Sequence, residues 1–238
     1  MTTVAVLCDP PQPGTVLSGL TGNASPLSEE EAATLYTALL RDSCRAVERS
    51  GGELLVNYRE TRDDAEAKVR SVVEPAIDAV DDVRFERQVG NAFASRAGNT
   101  TTHLLEREQQ DSVAITTPEA ALLTRSQIDT AAMKIRQSPV VLGPAPGGRV
   151  YYAGFGEPID FANVFDSPAI ETLTDRAVEA GLDVDFIDRS PLLETLDDLA
   201  DVVVQFRARR RANRLVPPHT MAVIDDLGLG ETRSLDDR

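Results

Sequence analysis

Val140-Val141-Leu142-Gly143-Pro144-Ala145-Pro146-Gly147-Gly148-Arg149-Val150-Tyr151-Tyr152-Ala153-Gly154-Phe155-Gly156 is the stretch that decides the fold. It opens behind Pro139 as a short apolar run, and such a run bounded by Gly and Pro predicts a buried strand. Three glycines and two prolines between 143 and 148 force a tight, irregular backbone past the end of that strand. A β-like run resumes at Val150-Tyr151-Tyr152. In open α/β sheets, ligands sit outside the carboxyl ends of the strands. The turn is therefore a candidate site, although the same pattern also suits a plain surface turn.

Outward from this stretch, strand and helix patterns alternate. Val4–Cys8 reads as a strand followed by the rigid loop Asp9-Pro10-Pro11-Gln12-Pro13-Gly14. Ser28 with Glu31 forms a capping-box pattern before Ala32, Leu35, Tyr36, Leu39, Leu40 and Val47, which recur at helical spacing and stop at Gly51-Gly52. Glu53–Tyr58 predicts a second strand. Asp63–Val80 predicts a charged helix broken at Pro75. Val83–Gln88 predicts a strand, Asn99–Gln110 a helix, Ser112–Thr116 a strand and Arg125–Gln137 a helix. Beyond the opening stretch, Ser167–Ala180 predicts a helix, Val184–Ile187 a strand, and Glu194–Ala212 a long helix, acidic at its start and basic at its end. That polarity complements the helix dipole. Thr220–Leu227 predicts a last short helix. The pattern implies a single α/β domain over residues 1–229, a mostly parallel sheet with helices on both faces, and a polar tail over 230–238.

Composition narrows the classes of function. The 238 residues carry 39 Asp and Glu against 24 Lys and Arg, a formal net charge of -15. Only Lys68 and Lys134 are lysines. So acidic and lysine-poor a chain is expected in a salt-loving archaeon, where a Debye length of about 3 Å at molar salt screens self-repulsion. The same balance argues against nucleic-acid binding, which needs a basic footprint. The sequence holds no apolar run of about 18 residues, and MTTVAVLCDPP lacks a basic leader, so a cytoplasmic protein without a membrane span is expected. Cys8 and Cys44 have no metal-ligand spacing and read as buried thiols. His103 and His219 are the only histidines, so a histidine metal cluster or a Ser-His-Asp arrangement has little to draw on.

Four elements in order carry a resemblance: Pro11-Gln12-Pro13-Gly14 before EEEAATLYTALLRDS; Thr117-Pro118-Glu119-Ala120-Ala121-Leu122-Leu123-Thr124 after a strand; Gly143–Gly154; and Leu192-Leu193-Glu194-Thr195-Leu196-Asp197-Asp198-Leu199. From Val4 to about Leu229 the chain resembles the nucleotide-diphospho-sugar transferase (GT-A) superfold, and within it the glycosyltransferase-like family called domain of unknown function 2064, related to 2-phospho-L-lactate guanylyltransferase. The resemblance implies a nucleoside-diphosphate sugar as partner. It implies that Pro11, Pro13, Gly14 and Gly148 border the nucleotide, and that Mg²⁺ or Mn²⁺ is held by carboxylates.

The departures from that pattern are as informative. The family's first loop runs roughly Gly-x-Val-Lys-Thr-Arg-Leu, where this chain has Gly14-Thr15-Val16-Leu17-Ser18-Gly19-Leu20, so both cations are gone. At 4 Å and an effective dielectric near 20, each lost ion pair removes about 4 kcal/mol of attraction before desolvation. Arg149 is the residue expected to compensate toward a phosphate. The family's carboxylates fall on Pro118, Glu119, Gly147 (or Pro146 with a one-residue shift), Leu192 and Glu194. Only Glu119 and Glu194 survive as acids, and they form a reduced metal site if their loops converge. The expected function is a glycosyltransferase-like protein with weakened or lost catalysis. The alternatives are a non-catalytic binding relative and a nucleotidyltransferase.

Overall fold

The computed structural model describes residues 1–22 and 25–229. The expected polar tail, 230–238, lies outside the described residues. Seven strands form one sheet in the order β3-β2-β1-β4-β6-β5-β7. They are β1 (Thr2–Cys8), β2 (Glu53–Tyr58), β3 (Arg84–Arg87), β4 (Ser112–Thr116), β5 (Val140–Pro144), β6 (Val150–Phe155) and β7 (Val184–Phe186). All pairings are parallel except those of β6, which runs antiparallel between β4 and β5. The decisive stretch is thus a hairpin whose turn lies at the carboxyl edge of the sheet, with a register shift at Gly143/Pro144. The mostly parallel sheet was legible; the reversal of β6 was not, because a local apolar run carries no direction.

The helices are α1 (Glu29–Glu48), α2 (Ala65–Val73), α3 (Phe93–Thr102), α4 (Arg125–Ile135), α5 (Ala169–Glu179), α6 (Leu196–Arg211) and α7 (Pro218–Asp226). Side chains alternate across the strands, as the two-residue period of extended backbone requires. Val4, Val6, Leu54, Val56, Ala114 and Val141 pack under α1, α2 and α4. Ala5, Leu7, Leu55, Val113, Ile115 and Leu142 pack against α3 and α5 on the other face. A third apolar cluster joins α1, α6 and α7 to the first loop through Leu20, Leu35, Leu193, Val202, Phe206 and Ile224. Among the described residues no helix is long and apolar enough to cross a membrane.

Local signals explain most boundaries. Ser28 and Glu31 cap α1 reciprocally, the Glu31 N–H reaching Ser28 Oγ at 3.2 Å and the Ser28 N–H reaching Glu31 Oε2 at 2.7 Å; such a cap contributes about 1 kcal/mol. Helix α2 ends before a 3₁₀ turn at Glu74–Ala76 that contains Pro75. The helix expected over Asn99–Gln110 instead begins at Phe93 and passes into a π turn over His103–Arg107. Its N-cap is Ala92, which offers no side-chain bond, so the sequence carries no start signal there. Gly98, inside the helix, serves close packing, since a Cβ at that position would lie 2.6 Å from Phe161 Cβ. Helix α6 starts at Leu196 behind the cap Thr195, which leaves Glu194 in the preceding loop rather than on the helix.

Candidate functional site

A cleft of about 580 Å³ opens at the carboxyl edge, where β4, β6 and the Gly-rich turn meet the loop before α6. Phe93, Thr117, Glu119, Gly147, Arg149 and Glu194 are among the residues that line it. A smaller space of about 240 Å³ adjoins it, between Asp9, the loop 15–19, Tyr36, Glu119 and Glu194. Both acids singled out from the sequence therefore face the same region. Their loops do converge, because the Leu193 N–H donates to the Glu119 carbonyl at 2.8 Å.

Pro11, Pro13 and Gly14 line neither space; the part of that loop which does is Thr15–Gly19. Of the two turn glycines, Gly147 faces the main cleft. Gly148 backs onto Pro168, where an added Cβ would stand 2.8 Å from Pro168 Cβ.

The two positions at which the resembled family carries cations hold packing residues here. Leu17 is 7% exposed and belongs to the cluster with Leu193 and Val202. Gly19 lies so close to the loop before α6 that a Cβ on it would stand 2.2 Å from the Glu194 carbonyl oxygen. No side chain fits at 19 without moving one of these backbones.

Arg149 is the only cation among the residues lining the two spaces. Its guanidinium does not stand open toward a ligand. Nη1 and Nη2 fork onto Asp198, Nη1 also donates to Glu194 Oε2 at 2.9 Å, and Nε donates to the Pro146 carbonyl at 2.8 Å. Asp198 Oδ2 further accepts from the N–H groups of Glu194 (3.1 Å) and Thr195 (2.9 Å). Burial by itself pushes the Asp198 carboxyl upward, but Arg149, Thr195 and the Glu194 N–H outweigh it and hold the group at about 2. The residue the sequence assigned to a phosphate is thus saturated by the chain's own acids. Asp198 escaped notice as a partner, although Thr195-x-x-Asp198 is a capping-box signature that places it at the helix start.

Glu119 is pushed the other way, to about 7. Burial is the main cause; Glu194 and Asp9 add to it, while hydrogen bonds from its own N–H and from Thr117 pull it back. Mg²⁺ takes oxygen ligands, commonly one or two carboxylates together with substrate phosphates and water. Here Glu194 pairs with Arg149, Glu119 is pushed up mainly by burial, and Asp9 lines the smaller space beside them. Among the described residues no group of three or more His, Cys, Asp or Glu is arranged to hold a metal. The described acids therefore make no preformed cluster for Mg²⁺ or Mn²⁺.

A scan against family models gives no match, and a search of curated proteins gives none either. Solved structures do match. A protein from Desulfovibrio desulfuricans assigned as a nucleotide-diphospho-sugar transferase superimposes with a TM-score of 0.78 over 95% of this chain and 96% of its own, at 18% identity. A cytidylyltransferase from Leptospira borgpetersenii gives 0.54 over 100% and 99%, at 10% identity. The 4-diphosphocytidyl-2C-methyl-D-erythritol synthase of Anaerococcus prevotii gives 0.52 over 87% and 96%, at 11% identity. The chain has the nucleotide-diphospho-sugar transferase type of α/β fold.

Proposed function

We propose that this chain is a glycosyltransferase-like relative within the nucleotide-diphospho-sugar transferase superfold, diverged from the domain of unknown function 2064 pattern, that keeps a ligand cleft and has lost the pyrophosphate and metal chemistry. The observation that carries this reading is the fate of the family's cation positions, a buried Leu17 and a Gly19 pressed against the Glu194 backbone. Arg149 supports it, because its charge is spent on Asp198 and Glu194. A diphosphate entering the cleft meets no uncommitted cation among the lining residues, and the Arg149–Glu194–Asp198 group beside it keeps one net negative charge. The acid-rich, lysine-poor composition fits a protein adapted to a cytosol at molar salt.

The test is a thermal-shift titration in molar KCl with UDP-, GDP- and dTDP-sugars, each with and without Mg²⁺ or Mn²⁺. No saturable shift is expected. A metal-dependent shift that Glu119→Ala abolishes would overturn the reading in favour of an active transferase. The fold likeness to the Leptospira cytidylyltransferase favours one second reading, a nucleotidyltransferase. A saturable response to CTP or GTP in the same titration would select it.

A further inference from the structure

We propose that a second pocket, at the carboxyl ends of β2 and β3, is a binding site for a small phosphomonoester, held by Arg59, Arg87 and Arg96. The three arginines are among the residues lining one space of about 470 Å³. They come from three elements: Arg59 directly follows β2, Arg87 ends β3, and Arg96 lies in the first turns of α3. A chain with a formal charge of -15 here gathers three arginines against their mutual repulsion.

The arrangement around Arg96 is built rather than incidental. Gln88 is 8% exposed, and its Nε2 donates to the carbonyls of Cys8 (3.0 Å) and Asn57 (2.6 Å), tying β1 to β2. The amide oxygen left over accepts from Arg96 Nε at 2.6 Å, and Arg96 Nη1 donates to the Asn91 carbonyl at 2.8 Å. Both contacts are to neutral acceptors. Among the described residues Arg96 has no carboxylate within ion-pair distance, so its charge is positioned but not neutralised. Burial and the like charge of Arg59 hold it below the ordinary arginine range. Glu60, which lines the same space, pairs with Arg87 at 2.7 Å, and Asp9 stands 3.8 Å from Arg59 and acts on Arg96 from beyond ion-pair distance.

Phosphate suits this set better than a carboxylate does. It carries up to two charges and three terminal oxygens, and arginine forks match that geometry. The loop before α3 also borders the main cleft through Ala92 and Phe93, so a group anchored here can extend its organic part toward that cleft. The assignment does not rest on the reading of the main cleft, whose lining shares none of the three arginines.

The probes are inorganic phosphate and glucose 1-phosphate, titrated calorimetrically into the full chain at low and at molar KCl. Both are expected to saturate at low salt and to bind more weakly at molar salt. Arg96→Gln is expected to weaken each by about tenfold or more, the scale of a lost charge-assisted bond. Arg96→Lys, which keeps the charge but loses the fork, weakens less. Arg87→Gln, at an exposed position, provides the same test with little risk to folding. Absence of saturable heat at the lowest KCl concentration at which circular dichroism shows the chain folded overturns the proposal. Unchanged affinity in both glutamine variants marks an adventitious ion only and overturns it as well. Saturation by phosphate but not by glucose 1-phosphate overturns the monoester assignment.

Discussion

Arg149 spans from the Gly-rich turn to the start of α6 and forks onto Asp198, with Nη1 to Oδ2 at 2.8 Å and Nη2 to Oδ1 at 2.6 Å. The pair is largely shielded, at 23% and 8% side-chain exposure, and it joins two segments 49 residues apart. Removing one partner of such a pair leaves the other charge poorly compensated. Asp198→Asn is therefore expected to cost about 2–4 kcal/mol at neutral pH, toward the lower end of the range for buried pairs because Arg149 keeps some water. Chemical denaturation measures it. The pH dependence has a fixed sign. The Asp198 carboxyl is depressed from 3.8 to about 2, so its contribution is complete above about pH 4 and is lost as pH falls toward 2. The wild type should lose stability over that window more steeply than Asp198→Asn.

Glu119 gives the opposite slope. Its carboxyl is raised from 4.5 to about 7, so the folded state holds a proton that the unfolded state releases earlier. Stability should fall as pH rises from about 4.5 through 7. Glu119→Gln removes the ionisation and is expected to gain about 1–3 kcal/mol over wild type at pH 8 while matching it near pH 5. Melting curves of both proteins at the two pH values decide it; parallel pH profiles would refute the assignment.

Gly147 and Gly148 separate two kinds of glycine requirement. Both have positive φ, +72° and +74°, which disfavours any residue with a Cβ. At Gly147 an added Cβ meets nothing closer than Arg149 Nε at 3.8 Å, whereas at Gly148 it stands 2.8 Å from Pro168 Cβ. Gly147→Ala should cost about 1–2 kcal/mol from backbone strain alone. Gly148→Ala should cost about 1 kcal/mol or more beyond that, from overpacking. Urea midpoints of the two variants provide the comparison.

Releasing Arg149 tests why the main cleft is expected to refuse nucleotides. Glu194→Gln alone leaves the Asp198 fork in place and should not create UDP binding. Glu194→Gln combined with Asp198→Asn frees the guanidinium and removes two negative charges from its surroundings. The double variant is expected to gain weak, salt-sensitive UDP binding, measurable by calorimetry at low salt. Equal silence in wild type and double variant would show that Arg149 neutralisation is not the barrier.

Much of the fold was written locally. The capping box at Ser28, the Gly51-Gly52 stop, Pro75 and the short apolar runs at Val4–Cys8 and Ser112–Thr116 each act within a few residues, so their signal survives in the sequence alone. Helix α3 shows the boundary of that logic. Its start at Ala92 has no capping side chain, and Gly98 is a helix residue because Phe161, 63 positions away, occupies the space a side chain would need.

For the candidate site, the sequence by itself determined which charges were present and which were missing: the acids Glu119 and Glu194, the cation Arg149, and no Lys or Arg at 17 or 19. Only the tertiary structure decided what those charges do. Arg149 turns to Asp198 and Glu194 rather than to solvent, Glu119 is driven toward its neutral form, and Arg59, Arg87 and Arg96 gather at the ends of two neighbouring strands. The physical reason is distance. Hydrophobic period and backbone preference act over a few residues along the chain, whereas charge pairing and desolvation depend on which groups the folded sheet brings within a few ångströms.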